Sequence, residues 1–205
     1  DLWFEKCIKK QLYGEAYLVR FADDFLIMFQ YERDAQRVYE AIIKRMELFG
    51  LELSKEKTRI LSFGRNCATR ETFDFLGFTH FNSKTRKGYY TVGHKISRKK
   101  KKQFKSNLKK WVKENRNTQF DEFMKALNKK LTGSFNYYSL SGMIREVRSL
   151  WIHSLYVTFK WLNRRSQRRS FKLERFYEIW NDRIIHPYIH VDIWSGDIVI
   201  YNKSV

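Results

Sequence analysis

Cysteine is scarce in this chain of 205 residues, where Cys7 and Cys67 are the only two. They offer neither a disulfide framework nor the paired spacing of a zinc site. A reducing, cytoplasmic setting of bacterial type is expected. Long apolar runs are missing as well: no stretch approaches the roughly 20 apolar residues that a membrane-spanning helix needs. The opening residues lack a signal-peptide pattern, and they begin Asp1-Leu-Trp-Phe without an initiator Met, as expected of a fragment or a processed piece. Acidic residues are few, with 22 Asp and Glu against 41 Lys and Arg and a net charge of +19. That balance points to a polyanionic partner, with nucleic acid ahead of an anionic membrane surface. Hydrophobic residues at 43% and aromatics at 17% exclude general disorder and leave material for one large core or two small ones. His186 and His190 are four apart, but Pro187 between them argues against an ordinary helix interior. No Cys or acidic cluster joins them, so they are read as structural or exposed.

Against this basic background stand two adjacent carboxylates, Asp23 and Asp24. They lie between two apolar runs of strand length, Ala16 to Phe21 and Phe25 to Phe29, a pattern that predicts a β-hairpin with the acids at or beside its turn. An Asp-Asp turn is ordinary chemistry by itself. Two unpaired anions on an apolar hairpin nevertheless repel each other and are costly to bury, which makes a cation their natural third party. Oxygen-only ligands favour Mg²⁺, held by one or two carboxylates and substrate phosphates.

Further along, Asp34 is a plausible N-cap for a helix over 35–49 that Gly50 ends. Short strands are expected at Leu51 to Leu53 and Arg59 to Phe63, with a second hairpin from Phe73 to Phe81 and Gly88 to Val92 around a loop at 82–87. This alternation suggests an α+β layer. Beyond it, Lys95, Arg98, Lys99, Lys100, Lys101, Lys102, Lys105, Lys109, Lys110 and Lys113 crowd a segment whose apolar residues, Phe104, Leu108, Trp111 and Val112, recur at helical spacing. That is a basic amphipathic helix. Further helices fit Phe120 to Leu131, Ile144 to Leu162 and Leu173 to Trp180, with Asn136-Tyr137-Tyr138 in a connection punctuated by Gly133 and Gly142. The tail could form a hairpin from Tyr188 to Ile193 and Ile198 to Tyr201. No internal repeat is visible.

A metal-binding acidic hairpin, an α+β layer and a basic helical bundle together describe part of a nucleic-acid polymerase. In four stretches the chain resembles the reverse transcriptases (maturases) encoded by group II introns. They are Gly14-Glu-Ala-Tyr-Leu-Val-Arg-Phe-Ala-Asp-Asp-Phe25, Phe49-Gly-Leu-Glu-Leu-Ser-Lys-Glu-Lys-Thr58, Thr72-Phe-Asp-Phe-Leu-Gly-Phe78 and Arg164-Arg-Ser-Gln-Arg-Arg169, in the family's order. The resemblance fades in the tail. It implies an α+β fold with residues 1–93 as the later part of the palm, 94–180 as an all-α thumb or maturase domain, and 181–205 as a tail.

By the same resemblance, Asp23 and Asp24 are two of three catalytic carboxylates and hold Mg²⁺ in a two-metal site. The third comes from an earlier palm strand, which with the fingers forms the upstream segment the chain needs as a partner; alone it is not expected to polymerise nucleotides. Phe21, where the family usually has Tyr, and small Ala22 lie beside the incoming dNTP and the primer terminus. Phe75, Leu76 and Gly77 resemble the primer-positioning hairpin, with Gly77 permitting close backbone approach. Lys55, Lys57 and Thr58 fall at a palm motif; phosphate contact, carboxylate contact and a solvated turn all remain open for them. Arg20 pairs either with a carboxylate or with backbone phosphate.

The implied partners are an RNA template, a DNA primer, dNTP and intron RNA, with no membrane. Ten basic residues from Lys95 to Lys113 with only Glu114 nearby would repel one another without a polyanion, so Arg98, Lys99, Lys100, Lys101, Lys102, Lys105 and Lys109 are expected to meet RNA or primer-template. Arg164, Arg165, Arg168 and Arg169 are a second such surface. Trp111, Trp151 and Trp161 are expected in the bundle core, while Tyr137 and Tyr138 either stack on RNA or do not. Two alternatives stand beside polymerisation: a non-catalytic RNA-binding maturase, and a non-intron relative serving bacterial defence or spacer acquisition. No zinc-type endonuclease domain is visible.

Overall fold

A computed structural model describes residues 1–54, 56–65, 67, 70–168 and 170–192. Lys55, Arg169 and the distal half of the expected tail hairpin lie outside the described residues. The fold mixes α and β, and the chain divides into two compact units. One comprises Asp1–Leu76 with His80–Val92; the other comprises Gly77–Thr79 with the chain from Gly93 onward.

The first unit opens with a π-helical turn over Phe4–Ile8 and a 3₁₀ turn over Lys9–Gln11. The antiparallel strands β1 (Ala16–Phe21) and β2 (Asp24–Phe29) follow, in a register that pairs Ala16 with Phe29 and Phe21 with Asp24. Partners directly opposite share a face, so Ala16, Leu18, Phe25, Ile27 and Phe29 turn inward. There they meet Phe4, Ile8, Val38 and Ile42 in one apolar cluster.

Helix α1 (Glu32–Leu48) supplies Val38 and Ile42 and begins a turn earlier than its sequence pattern suggests. Its N-cap is Tyr31, without a side-chain cap. Asp34 is therefore not the cap; it lies in the first turn and its Oδ2 accepts instead from the backbone N–H groups of Tyr13 and Gly14. Gly50, at φ 67°, ends the helix as expected. Its own N–H reaches the Glu47 carbonyl at 3.0 Å and that of Leu51 the Met46 carbonyl at 2.9 Å, the paired bonds of a Schellman motif.

The two short strands expected after α1 are not formed among the described residues. Leu51 spends its N–H on closing the helix. Farther on, side chains do the holding: Glu71 accepts from the Ser62 N–H, and Arg59 donates to the Thr72 carbonyl. Instead β3 (Thr72–Phe75), β4 (Phe78–Lys84) and β5 (Tyr90–Ile96) form a second sheet in that order. The expected run from Phe73 to Phe81 is thus cut at Leu76-Gly77.

The second unit is largely helical: α2 (Arg98–Asn115), α3 (Phe120–Tyr138), α4 (Ile144–Leu162) and α5 (Leu173–Arg183). Ser97 and Gln119 cap the first two through their side-chain oxygens, satisfying N–H groups that a helix start leaves open. Leu108, Val112, Phe123, Leu127, Leu131, Val147, Leu150, Phe176 and Trp180 are buried together with Trp151. Helix α3 runs through Gly133, so Asn136, Tyr137 and Tyr138 form its last turn rather than a connection. After α5, residues 188–192 lie along Ser139–Ser141: the Val191 N–H donates to the Ser139 carbonyl and the Tyr188 hydroxyl to Asn136 Oδ1.

His153 on α4 gives this unit a pH dependence. Burial, and secondarily the Lys105 ammonium, hold its imidazole below the ordinary value of 6.5. The unfolded chain then takes up a proton that the folded chain refuses, so stability is complete above that value and falls as pH drops from it toward the folded-state pKa. Urea midpoints measured from about pH 7.5 down to about pH 5 should decline, and His153→Gln should flatten the decline.

Candidate active site and nucleic-acid surface

Ala22 and Asp23 are the two central residues of the β1–β2 turn. A two-residue hairpin loop needs positive φ at its first or at both central positions, and Ala22 takes φ 53°. That backbone, ordinary for glycine, costs an alanine about 1–2 kcal/mol. Strain of this kind gathers where surrounding structure over-determines a site. Here the determinant is visible. The Arg20 guanidinium donates to the Ala22 carbonyl at 2.9 Å and grips the Asp1 carboxylate with two bonds of 2.8 Å. Of the two partners expected for Arg20, a carboxylate is the one seen.

Asp23 and Asp24 are both exposed. The register puts Asp24 on the face away from the core, together with Tyr17, Val19, Phe21 and Met28, which are 53%, 44%, 64% and 45% exposed. A ligand arriving at Asp24 therefore meets ring and methyl surface beside the carboxylate. Neither acid has an ion-pair or hydrogen-bond partner among the described residues. Two free carboxylates suit the oxygen chemistry of Mg²⁺, which completes its shell with phosphate oxygens and water. Among the described residues no cluster of three or more His, Cys, Asp or Glu is formed.

Leu76 and Gly77 form the loop between β3 and β4 with φ 49° and 82°. Positive φ at both positions is the type I′ requirement; Gly77 meets it freely, whereas a branched side chain at Leu76 is a conformational outlier. Phe75 precedes this turn as a half-buried strand end. Gly77 is in close quarters: its carbonyl accepts from Ser97 N–H at 2.9 Å, and a Cβ there would stand 3.4 Å from Lys100 Cγ. Lys57 is exposed, and the Lys57 and Thr58 N–H groups both bond the Ser54 carbonyl.

Along α2 the cations separate into two groups. Arg98, Lys99, Lys100, Lys102 and Lys109 are exposed. Lys101 instead pairs with Glu146 at 3.0 Å, and Lys105 is half-buried near His153. Arg164 and Arg168 are exposed, while Arg165 turns its Nε to the Leu162 carbonyl. Trp151 is 6% exposed in the core as expected. Trp111 is half-buried and stacks on Phe123. Trp161 departs from a core role, being partly exposed with Lys113, Arg116 and Arg164 gathered about its ring. Its spacing from α2 cannot be read from sequence; only the basic residues near it in the chain hinted at such company.

Tyr138 is 9% exposed and packs edge-on to Phe78, whereas Tyr137, 52% exposed, stacks on the same ring.

Residues 3–80 match the family model for reverse transcriptase (RNA-dependent DNA polymerase). The matched stretch contains the strained acidic turn and the whole β1–β2–α1 core, so it supports the reverse-transcriptase family for the part of the chain that carries the acids. No curated protein matches the chain. No helix among the described residues is long and apolar enough to cross a membrane.

Proposed function

We propose that the protein carrying this chain is an RNA-directed DNA polymerase of the group II intron type that also binds intron RNA and assists its splicing. The observation that carries the reading is Asp23 and Asp24, unpartnered at a tight hairpin turn inside the reverse-transcriptase match. In the reaction a primer 3′-hydroxyl attacks the α-phosphorus of a dNTP and pyrophosphate leaves. Mg²⁺ bound at such a site supplies charge stabilisation to the attacking and leaving oxygens. Asp23 and Asp24 would hold it, joined in this family by a carboxylate from an earlier palm strand. Phe21 offers a ring to the nucleotide, Ala22 leaves room beside it, and the Phe75-Leu76-Gly77 turn places backbone against the primer. A cytoplasmic setting fits the chemistry.

The exposed face of α2 would hold RNA or primer-template through phosphates. Such binding falls with salt, each lost contact lowering the log–log slope by about 1. Lys99→Gln with Lys102→Gln should therefore weaken RNA binding across sequences and flatten that slope by about 2, which titrations at several salt concentrations would read. A binding curve of unchanged slope would remove α2 from the interface. The same face supports a second reading, a non-catalytic RNA-binding maturase. Primer extension on an RNA template with Asp23→Ala separates the two, because the second reading predicts no extension to lose.

A further inference from the structure

We propose that Trp161, with Lys113, Arg116 and Arg164 around it, is a binding site for single-stranded nucleic acid. The proposal deepens the nucleic-acid reading above and rests on it. Arg116 Cζ lies 5.3 Å, Arg164 Cζ 5.6 Å and Lys113 Nζ 5.8 Å from the centre of the indole ring. Two of these cations come from the end of α2 and one from the segment after α4. The negative face of the ring draws each of them in, but it carries no net charge with which to neutralise three. Among the described residues none of the three forms an ion pair. Their mutual repulsion is the signature of a site built for an anion of several charges.

The segment that brings Arg164 is held shut. The Asn163 side chain accepts from the Phe171 N–H at 2.8 Å and donates to the Phe171 carbonyl at 3.1 Å, bonding both backbone groups of one residue. Arg164 is thus presented from a closed loop rather than a loose end. The indole itself stays partly exposed. Phosphates and a stacked base satisfy cations and ring together, and only a single strand offers both, since a duplex keeps its base faces inside the stack. The cations take the phosphates and Trp161 takes a base.

The test is fluorescence anisotropy on the full 205-residue chain. The probes are a labelled single-stranded RNA of about 12 nucleotides and a duplex of the same length. Trp161→Ala should weaken single-strand binding about tenfold or more and duplex binding less than about twofold, while Trp161→Phe retains most of the affinity. The pair Lys113→Gln and Arg164→Gln should weaken single-strand binding and flatten its salt dependence. Should Trp161→Ala unfold the helical unit, that exposed pair decides. Unchanged single-strand affinity, or an equal loss on both probes with Trp161→Ala, overturns the proposal. If the unaltered chain binds neither RNA, the nucleic-acid reading falls with it. If RNA binding responds to Lys99→Gln and Lys102→Gln but not to Trp161, only this site is lost.

Discussion

Asp23→Ala should reduce primer extension about a thousandfold or more, equivalent to about 4 kcal/mol of transition-state stabilisation, and leave the fold intact. The two halves of that expectation have separate grounds. Asp23 is exposed at the second position of the hairpin turn and takes part in no hydrogen bond or ion pair among the described residues, so its removal breaks no contact. The chemical loss follows from the proposed Mg²⁺ site, where a carboxylate sharing the cation with its neighbour would not be replaced by water at the same charge. Asp23→Asn sharpens the comparison: asparagine suits turns as well as aspartate does, yet it lacks the charge. The assay uses the protein that carries this sequence, with RNA template, DNA primer, dNTPs and Mg²⁺. Full activity in Asp23→Asn would remove Asp23 from the site. RNA affinity measured alongside should stay constant, since neither acid forms an ion pair with a described cation.

Asp24 should behave differently in one respect. It is a strand residue paired with Phe21, on a face with Tyr17, Val19 and Met28. Exchanging it for asparagine keeps the strand, but a bulky apolar residue there would extend an apolar face that is already open.

The acidic hairpin was legible in the sequence because its signal is local. Two apolar runs of strand length flank two acids, and the turn sits within one residue of where those runs place it. Gly50 was legible for the same reason, as a positive-φ stop is a one-residue decision. What escaped was set by partners distant in sequence. The stretch around Leu51 to Leu53 has strand-like residues, but no second strand comes to it, and the Met46 carbonyl claims the Leu51 N–H. The strand pattern over Phe73 to Phe81 missed the break at Leu76-Gly77, where a leucine stands at positive φ, although the resemblance to a primer-positioning hairpin pointed to it. Gly133 suggested an end to α3, yet Leu127, Leu131, Phe135 and Tyr138 continue the buried stripe past it, and tertiary packing overrides one weak helix former. Trp161 looked like core from its apolar neighbours, whereas its environment is decided by Lys113 and Arg116, far from it in the chain.

Asp34 shows most clearly how a correct reading of residue type can miss a role, and replacing it should have the largest effect on stability in the first unit. The residue does cap orphan N–H groups, but those of Tyr13 and Gly14, at 3.0 and 3.1 Å, instead of those of its own helix. It is 1% exposed while the segment it bonds lies nearer the surface, so both bonds are made by a carboxylate shielded from water. Gly14 leaves little slack: a Cβ there would stand 2.6 Å from the Tyr31 ring. The Glu15 N–H and carbonyl beside it are both tied to Gln30. Asp34 thus fastens helix α1 to the segment that starts β1, one strand away from the acidic turn. Asp34→Ala should cost about 3 kcal/mol, the loss of two hydrogen bonds to a charged group, and lower the melting temperature by more than about 10 °C if the unit unfolds cooperatively. Asp34→Asn keeps one carbonyl oxygen for the two donors and should lose about half as much. Hydrogen exchange gives the site-specific check: the Tyr13 and Gly14 amides should be protected in the unaltered chain and exposed in Asp34→Ala. Equal protection in both would mean that the hairpin is anchored by its apolar face alone, and that Asp34 is only a buried acid in a first helical turn.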